Sequence, residues 1–232
     1  MSTLVAIHQP NFFPWMGYFD KVRRADVFVL LDAVDYPRSG SGGMGSWTNR
    51  VRLNIQGGAR WITCPVKRTC LGEPINAIAI DDDQPWRAKL LRTLDANYRK
   101  AAHYGKAMTL LEPLILSPEN NLAAFNINAI QTIASALGLQ TRFVLQSSLP
   151  HEGRATDLLI SLVKHAGGQS YLAGGGASGY QQDEAFAAAG LDLVYQGFTP
   201  RPYGDEARFI AGLSIIDYLM HDGRPLDAFV ED

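Results

Sequence analysis

Ten residues near the start of the chain concentrate groups that do chemistry: His8-Gln9-Pro10-Asn11-Phe12-Phe13-Pro14-Trp15-Met16-Gly17. An imidazole and two amides, held on a segment stiffened by two prolines, can donate to the oxygens of an anion. His8 and Asn11 are the candidate donors, with Gln9 and Trp15 beside them and Lys21 a short way on as a cation. The alternative makes His8 a hydrogen-bonded turn histidine and leaves the prolines and aromatics to pack.

Other residues offer charge or acid–base groups. Arg50 and Arg52 alternate with Val51 and Leu53 directly after Asn49. Strand side chains alternate with a period of two, so both guanidinium groups share a face. They either grip a phosphate or carboxylate in bidentate fashion or form the solvated outer face of a hairpin. A run of basic residues from Arg87 to Lys100 reads as a solvated helix face, within which Lys100 and His103 merit testing. Gly174-Gly175-Gly176-Ala177-Ser178-Gly179 formally matches GxGxxG. The acidic ribose partner of a dinucleotide site is missing where the next strand ends at Gln196, so Gly174, Gly176 and Tyr180 read as a substrate-side loop or a tight turn. Asp217, inside the apolar stretch Ile215-Ile216-Asp217-Tyr218-Leu219, either faces a cleft as base or cation partner or caps a neighbouring loop. Ser147-Ser148 follows a strand and either faces the same cleft or caps a helix. Asp81-Asp82-Asp83 could bind a divalent cation, but reads better as the acidic start of a helix. Cys64 and Cys70 have no CxxC or histidine spacing, so no metal site is expected. Neither GxSxG nor GxxxxGK[ST] occurs.

Positioning these groups requires regular elements. Leu4 to Ile7 is a short buried strand, Tyr18, Val22 and Ala25 recur at helical spacing, and Val27 to Leu31 is a second strand ending at Asp32. Strand, helix and strand in so short a span is a βαβ unit with parallel strands. In an open parallel sheet, ligands bind beyond the carboxyl ends of the strands, where the His8 loop would lie. Arg50–Leu53 and Trp61–Val66, separated by Gly57-Gly58, predict a hairpin, and Ile75 to Ile80 a third strand beside it. Trp86, Leu90, Leu94 and Tyr98 predict a helix with Gly105 as its stop, and Ser117-Pro118-Glu119 starts another that runs through Leu122 to Leu137 and stops at Gly138. Strands at 141–145, 170–173 and 191–196 then alternate with helices at 156–166, 182–189 and 213–220. The expectation is α/β: a mostly parallel central sheet, a small antiparallel insert at about residues 36–80, and a helical C-terminal half, all in one domain over 1–232.

Composition sets the outer bounds. The 232 residues are 47% hydrophobic and 19% charged, as in a globular core. With 21 basic and 23 acidic side chains the net charge is −2, so no overall field draws the chain to nucleic acid. No apolar run is long enough to span a membrane, and the N-terminus lacks a cationic signal-peptide start. Two cysteines make no disulfide framework, which points to a reducing cytoplasm.

The stretch from Ile7 to Asp32 resembles the WbqC-like protein family. His8, Gln9, Pro10, Phe12, Pro14, Trp15, Gly17, Tyr18, Phe19 and Lys21 fill its opening pattern, followed by Ala25 to Val29, Leu31 and Asp32. Further matches fall at Asn49-Arg50, Trp61 to Val66, Tyr98 with Lys100, Ser147-Ser148, Tyr171 to Gly174 and Leu213 to Asp217. The resemblance implies a role in surface-polysaccharide synthesis, with transfer of an acyl or aminoacyl unit to an amine, and a nucleotide sugar as small-molecule partner. More distantly, the opening is similar to HxGH-type adenylating enzymes such as pantothenate synthetase, which implies a HUP/Rossmann-like βαβ start and ATP with magnesium. The departure is that Pro10 and Asn11 stand where that motif has Gly and its second His. On this reading His8, Asn11 and Lys21 lie near the activated group, Arg50 and Arg52 hold an anionic moiety, and Asp217 orients the amine. A nucleotidyltransferase, or a non-catalytic binding protein for a sugar nucleotide or a partner, is the alternative.

Overall fold

The computed structural model describes residues 2–37, 46–174 and 183–222. Leu4–His8 (β1) runs into helix Met16–Arg24 (α1) and strand Val27–Leu30 (β2). A hairpin follows, Arg50–Ile55 (β3) with Gly58–Thr63 (β4). Three helices come next, Trp86–Tyr98 (α2), Tyr104–Ile115 (α3) and Leu122–Ala136 (α4). The chain then alternates: Arg142–Leu145 (β5), Thr156–His165 (α5), Ser170–Ala173 (β6), Asp183–Ala188 (α6), Asp192–Tyr195 (β7) and Ile215–His221 (α7).

Among the described residues, five strands form one sheet in the order β5-β2-β1-β6-β7. Every neighbouring pair is parallel. The expected α/β class with a parallel central sheet is what the chain forms. Strand alternation divides the interior in two. Ala6, Phe28, Leu30 and Leu172 face one core, shared with α1 to α4 and α7. Val5, Ile7, Val27, Val29, Tyr171 and Ala173 face the other, shared with α5 and α6. Strands covered on both faces read as continuous apolar runs, as β1 and β2 do.

Close approach fixes one glycine. A Cβ at Gly168, between α5 and β6, would lie 2.4 Å from Val5 Cγ2 and 2.9 Å from Val163 Cγ1. Gly168→Ala should therefore destabilise the fold by about 1–3 kcal/mol through overpacking. Urea unfolding monitors it, and a loss below about 0.5 kcal/mol would show that the sheet and α5 separate without strain.

The β3–β4 pair forms the expected antiparallel insert, turning at Gln56 (φ 53°) and Gly57 (φ 79°). The third strand expected over Ile75 to Ile80 does not form. Ile75–Ala77 is instead a 3₁₀ turn. The N–H groups of Ile75 and Asn76 donate to Val34 and Asp32 carbonyls, and Ala79 and Ile80 make only single bridges. Helix α3 was not expected, because Gly105 and Pro113 break its pattern at both ends. Pro113 sits within it and offers no N–H to the carbonyl of Thr109.

Candidate functional site

Sheet order reverses between β1 and β6, because β1 leads to β2 and β5 on one side while β6 and β7 lie on the other. A ligand crevice in such a sheet lies outside the carboxyl ends at that point. His8 ends β1, and Gly174 follows β6. Lys21 reaches back from α1 to the same place. Its Nζ donates to the Ile7 carbonyl at 2.9 Å, sits 5.7 Å from the centre of the Tyr171 ring, and lies 3.8 Å from where a Cβ on Gly174 would be. Lys21 is 4% exposed, and burial lowers its pKa to about 8. No carboxylate among the described residues pairs with it.

His8 is half-buried, with its ring edge against Tyr18 at 4.9 Å between centroids. Burial first, then the Lys21 charge, lowers its pKa to about 4, so the imidazole is neutral at pH 7. Its Nδ1 lies 3.1 Å from the Gln9 carbonyl, which makes Nδ1 the donor and leaves Nε2 as an acceptor. Lys21 therefore carries the positive charge at this end of the sheet, and His8 presents a neutral imidazole acceptor.

The rest of the loop is a structural anchor. Phe12 and Phe13 are buried and meet Phe125 at 6.0 and 6.1 Å. Phe13 has φ 39°, a left-handed conformation uncommon for an aromatic residue, and its carbonyl accepts from Ser214 Oγ at 2.6 Å. Asn126, fully buried on α4, donates from Nδ2 to Pro10 at 2.8 Å and Thr48 at 2.7 Å. Asn11 is buried beside these contacts, and Trp15 packs edge-on against Phe198 at 5.4 Å. Asn126 and Ser214 thus position the loop; Asn126 did not stand out in the sequence, and Ser214 did so only within the family match Leu213 to Asp217. An amide in register with the apolar positions Leu122, Phe125, Ala129 and Ile130 is the signal that could have found Asn126.

Arg50 and Arg52 do share a face, opposite the buried Val51 and Leu53. The Arg50 guanidinium lies 4.2 Å over Trp61, and Arg52 is 5.9 Å from both Trp47 and Trp61. Arg52 Nη2 also donates to Gly212 at 3.3 Å. Asn49 is buried, its amide holding Cys64 at 3.1 Å and Ser46 at 3.0 Å, so both ends of its side chain maintain the hairpin base. Asp32 accepts from Ser147 N and Oγ at 2.9 and 2.6 Å, which ties β2 to the end of β5.

Asp217 and Lys100 lie elsewhere. Both line a cavity of about 1090 Å³ between the hairpin, the end of α2 and the segment from Tyr203 to α7. Asp217 accepts from Tyr98 and Tyr203 hydroxyls, each at 2.8 Å. Of the predicted residues, His8, Gln9, Lys21 and Gly174 lie at the sheet switch point, Arg50 and Arg52 on the outer hairpin face, and Asp217 and Lys100 at this cavity, whereas Asn11 and Trp15 are taken up in packing and Asn49 in holding the hairpin base. Gly176 and Tyr180 lie outside the described residues. No helix among the described residues is long and apolar enough to cross a membrane.

The chain is an α/β protein whose parallel sheet reverses order beside a buried lysine and a neutral histidine. The chain belongs to the WbqC-like protein family, whose model matches residues 9–226. It is 29% identical over 225 residues to the uncharacterized protein Rv1507c of Mycobacterium tuberculosis, covering 94% of each chain. No solved structure matches it.

Proposed function

We propose that this chain is a group-transfer enzyme that binds a phosphate-bearing small molecule at the carboxyl ends of β1 and β6 and passes an acyl or aminoacyl unit to an amine. ATP and a nucleotide sugar are the candidate ligands. The observation that carries the reading is the buried Lys21 ammonium, which has one carbonyl partner and no carboxylate among the described residues. Burying a charge without a counter-ion is costly, and an anionic ligand supplies one. Activation of a carboxylate by phosphoryl or adenylyl transfer builds negative charge on phosphate oxygens, which a fixed cation stabilises. When the amine attacks the acyl phosphate or acyl adenylate, the C–N bond forms as the C–O bond breaks, phosphate or AMP leaves, and His8 Nε2 would take up the proton released by the amine. Arg50 and Arg52 would hold a further anionic group.

ATP or a uridine diphosphate sugar near a hundred times its Kd should raise the melting temperature by roughly 5–10 °C. His8→Ala should leave the melting temperature nearly unchanged and remove turnover. No shift with either ligand at millimolar concentration would contradict the reading, and equal loss of stability and turnover in His8→Ala would make His8 structural.

A further inference from the structure

From Ser46 to Gly72 the chain carries Arg50, Arg52, Arg60, Lys67 and Arg68 and no aspartate or glutamate, although the whole chain nets −2. The β3–β4 hairpin is therefore a basic lobe on an acidic body. Asp81 and Asp83 engage Lys67 at 3.6 and 2.7 Å, which takes its charge out of the excess. Asp82 is engaged by Arg87, and Asp205 by Arg208. The four arginines of the lobe pair with no carboxylate among the described residues, and Arg60 and Arg68 are exposed.

Two tryptophans stand among these charges. Trp47 is 40% exposed and Trp61 42%, edge-on with ring centres 5.0 Å apart. Strand pairing puts Arg52 opposite Trp61 and Arg50 opposite Thr63, on the face turned away from the buried Val51 and Leu53. Arg50 covers the Trp61 ring and Arg52 lies beside both rings. Half-exposed indoles beside unpaired guanidinium groups suit a membrane–water interface. The ring leaves water for the headgroup layer while its N–H stays hydrated, and arginine meets lipid phosphate. A partner protein would need a pocket to seat an anchor side chain, which a two-stranded ribbon does not offer, whereas a lipid surface needs none.

We propose that this hairpin docks the protein reversibly on an anionic lipid surface, with Trp47 and Trp61 in the headgroup layer, Arg50 and Arg52 on lipid phosphates, and the acidic body turned away. This rests on the reading above only in naming the anionic group that Arg50 and Arg52 hold; docking itself does not need the switch point.

The test mixes the full chain with vesicles of phosphatidylcholine and phosphatidylglycerol in equal parts, or of phosphatidylcholine alone, and follows co-sedimentation and tryptophan emission. The mixed vesicles should bind at least about tenfold more tightly, since each basic side chain near an anionic surface is worth about fivefold. Emission should shift to the blue as the indoles leave water, and high salt should reverse both changes. Arg50→Gln combined with Arg52→Gln should cost about 25-fold in affinity. Trp47→Ala combined with Trp61→Ala should cost at least about tenfold and remove the blue shift. If a double variant melts lower than the wild type, the salt and lipid dependence of the wild-type chain decides. No binding to the mixed vesicles, equal binding to both kinds, or undiminished binding by well-folded double variants would overturn the proposal. Binding of poly-L-glutamate without binding of vesicles would also overturn it, in favour of an acidic protein partner. The ATP melting shift reads the switch point alone: docking without that shift upholds this proposal and rejects the switch-point reading, and the shift without docking does the reverse.

Discussion

Lys21→Met is expected to abolish the thermal shift given by ATP or a nucleotide sugar while leaving the free protein as stable as before, or more so. The lysine is 4% exposed and its folded pKa is lowered from 10.5 to about 8 by burial. A base with a depressed folded pKa binds fewer protons folded than unfolded, so stability rises with pH between the two values. The penalty is present in full below about pH 8, disappears by about 10.5, and amounts to about 3 kcal/mol. Methionine keeps the aliphatic length and removes the buried charge. Melting curves at pH 7, with and without nucleotide, check both halves. A nucleotide shift that survives in Lys21→Met, or a free protein that loses many degrees, would show that the ammonium serves the fold and not a ligand. His8 adds a second pH dependence of the same sign. Its folded pKa of about 4 lies below 6.5, so its contribution is lost as pH falls through that interval.

Asp217→Ala is expected to be the most damaging single change to stability, about 3–5 kcal/mol, or roughly 10 °C or more in melting temperature. It removes a charged acceptor from two buried hydroxyls, on Tyr98 at 2% exposure and Tyr203 at 7%. Those hydroxyls come from α2 and from the segment before α7, so the loss unpins three parts of the chain. Asp217→Asn keeps one carbonyl acceptor and should lose about half as much. If both variants unfold in urea within about 0.5 kcal/mol of the wild type, the tyrosine–carboxylate cluster holds nothing together.

The βαβ opening and the hairpin were legible because both are local. Their signals are apolar runs, a helical repeat and the Gly57-Gly58 pair, all within a few residues, and the turn itself falls one residue earlier, at Gln56-Gly57. Helix α3 escaped notice because Gly105 and Pro113 weaken its local pattern, while Leu111, Leu114 and Ile115 are held by tertiary packing. The run Ile75–Ile80 has strand composition, but its N–H groups find loop carbonyls in place of a neighbouring strand. In the site, His8 and Lys21 were readable from their place after a strand and on the following helix. Their electrostatic division of labour was not, since it depends on burial. The loop-holding roles of Asn126 and Ser214 were unreadable for a different reason: their partners Pro10 and Phe13 lie 116 and 201 residues away in sequence. The separation of Asp217 from His8 likewise follows from tertiary contacts that no local pattern records.

A crystal structure with ATP or a non-hydrolysable analogue bound is the most direct measurement. The expected result is a phosphate oxygen within hydrogen-bonding distance of Lys21 Nζ, over the Ile7 carbonyl and beside Gly174. A nucleotide seated instead on the Trp47–Trp61 face or in the Asp217 cavity, with nothing against Lys21, would contradict the assignment of the switch point as the site of transfer.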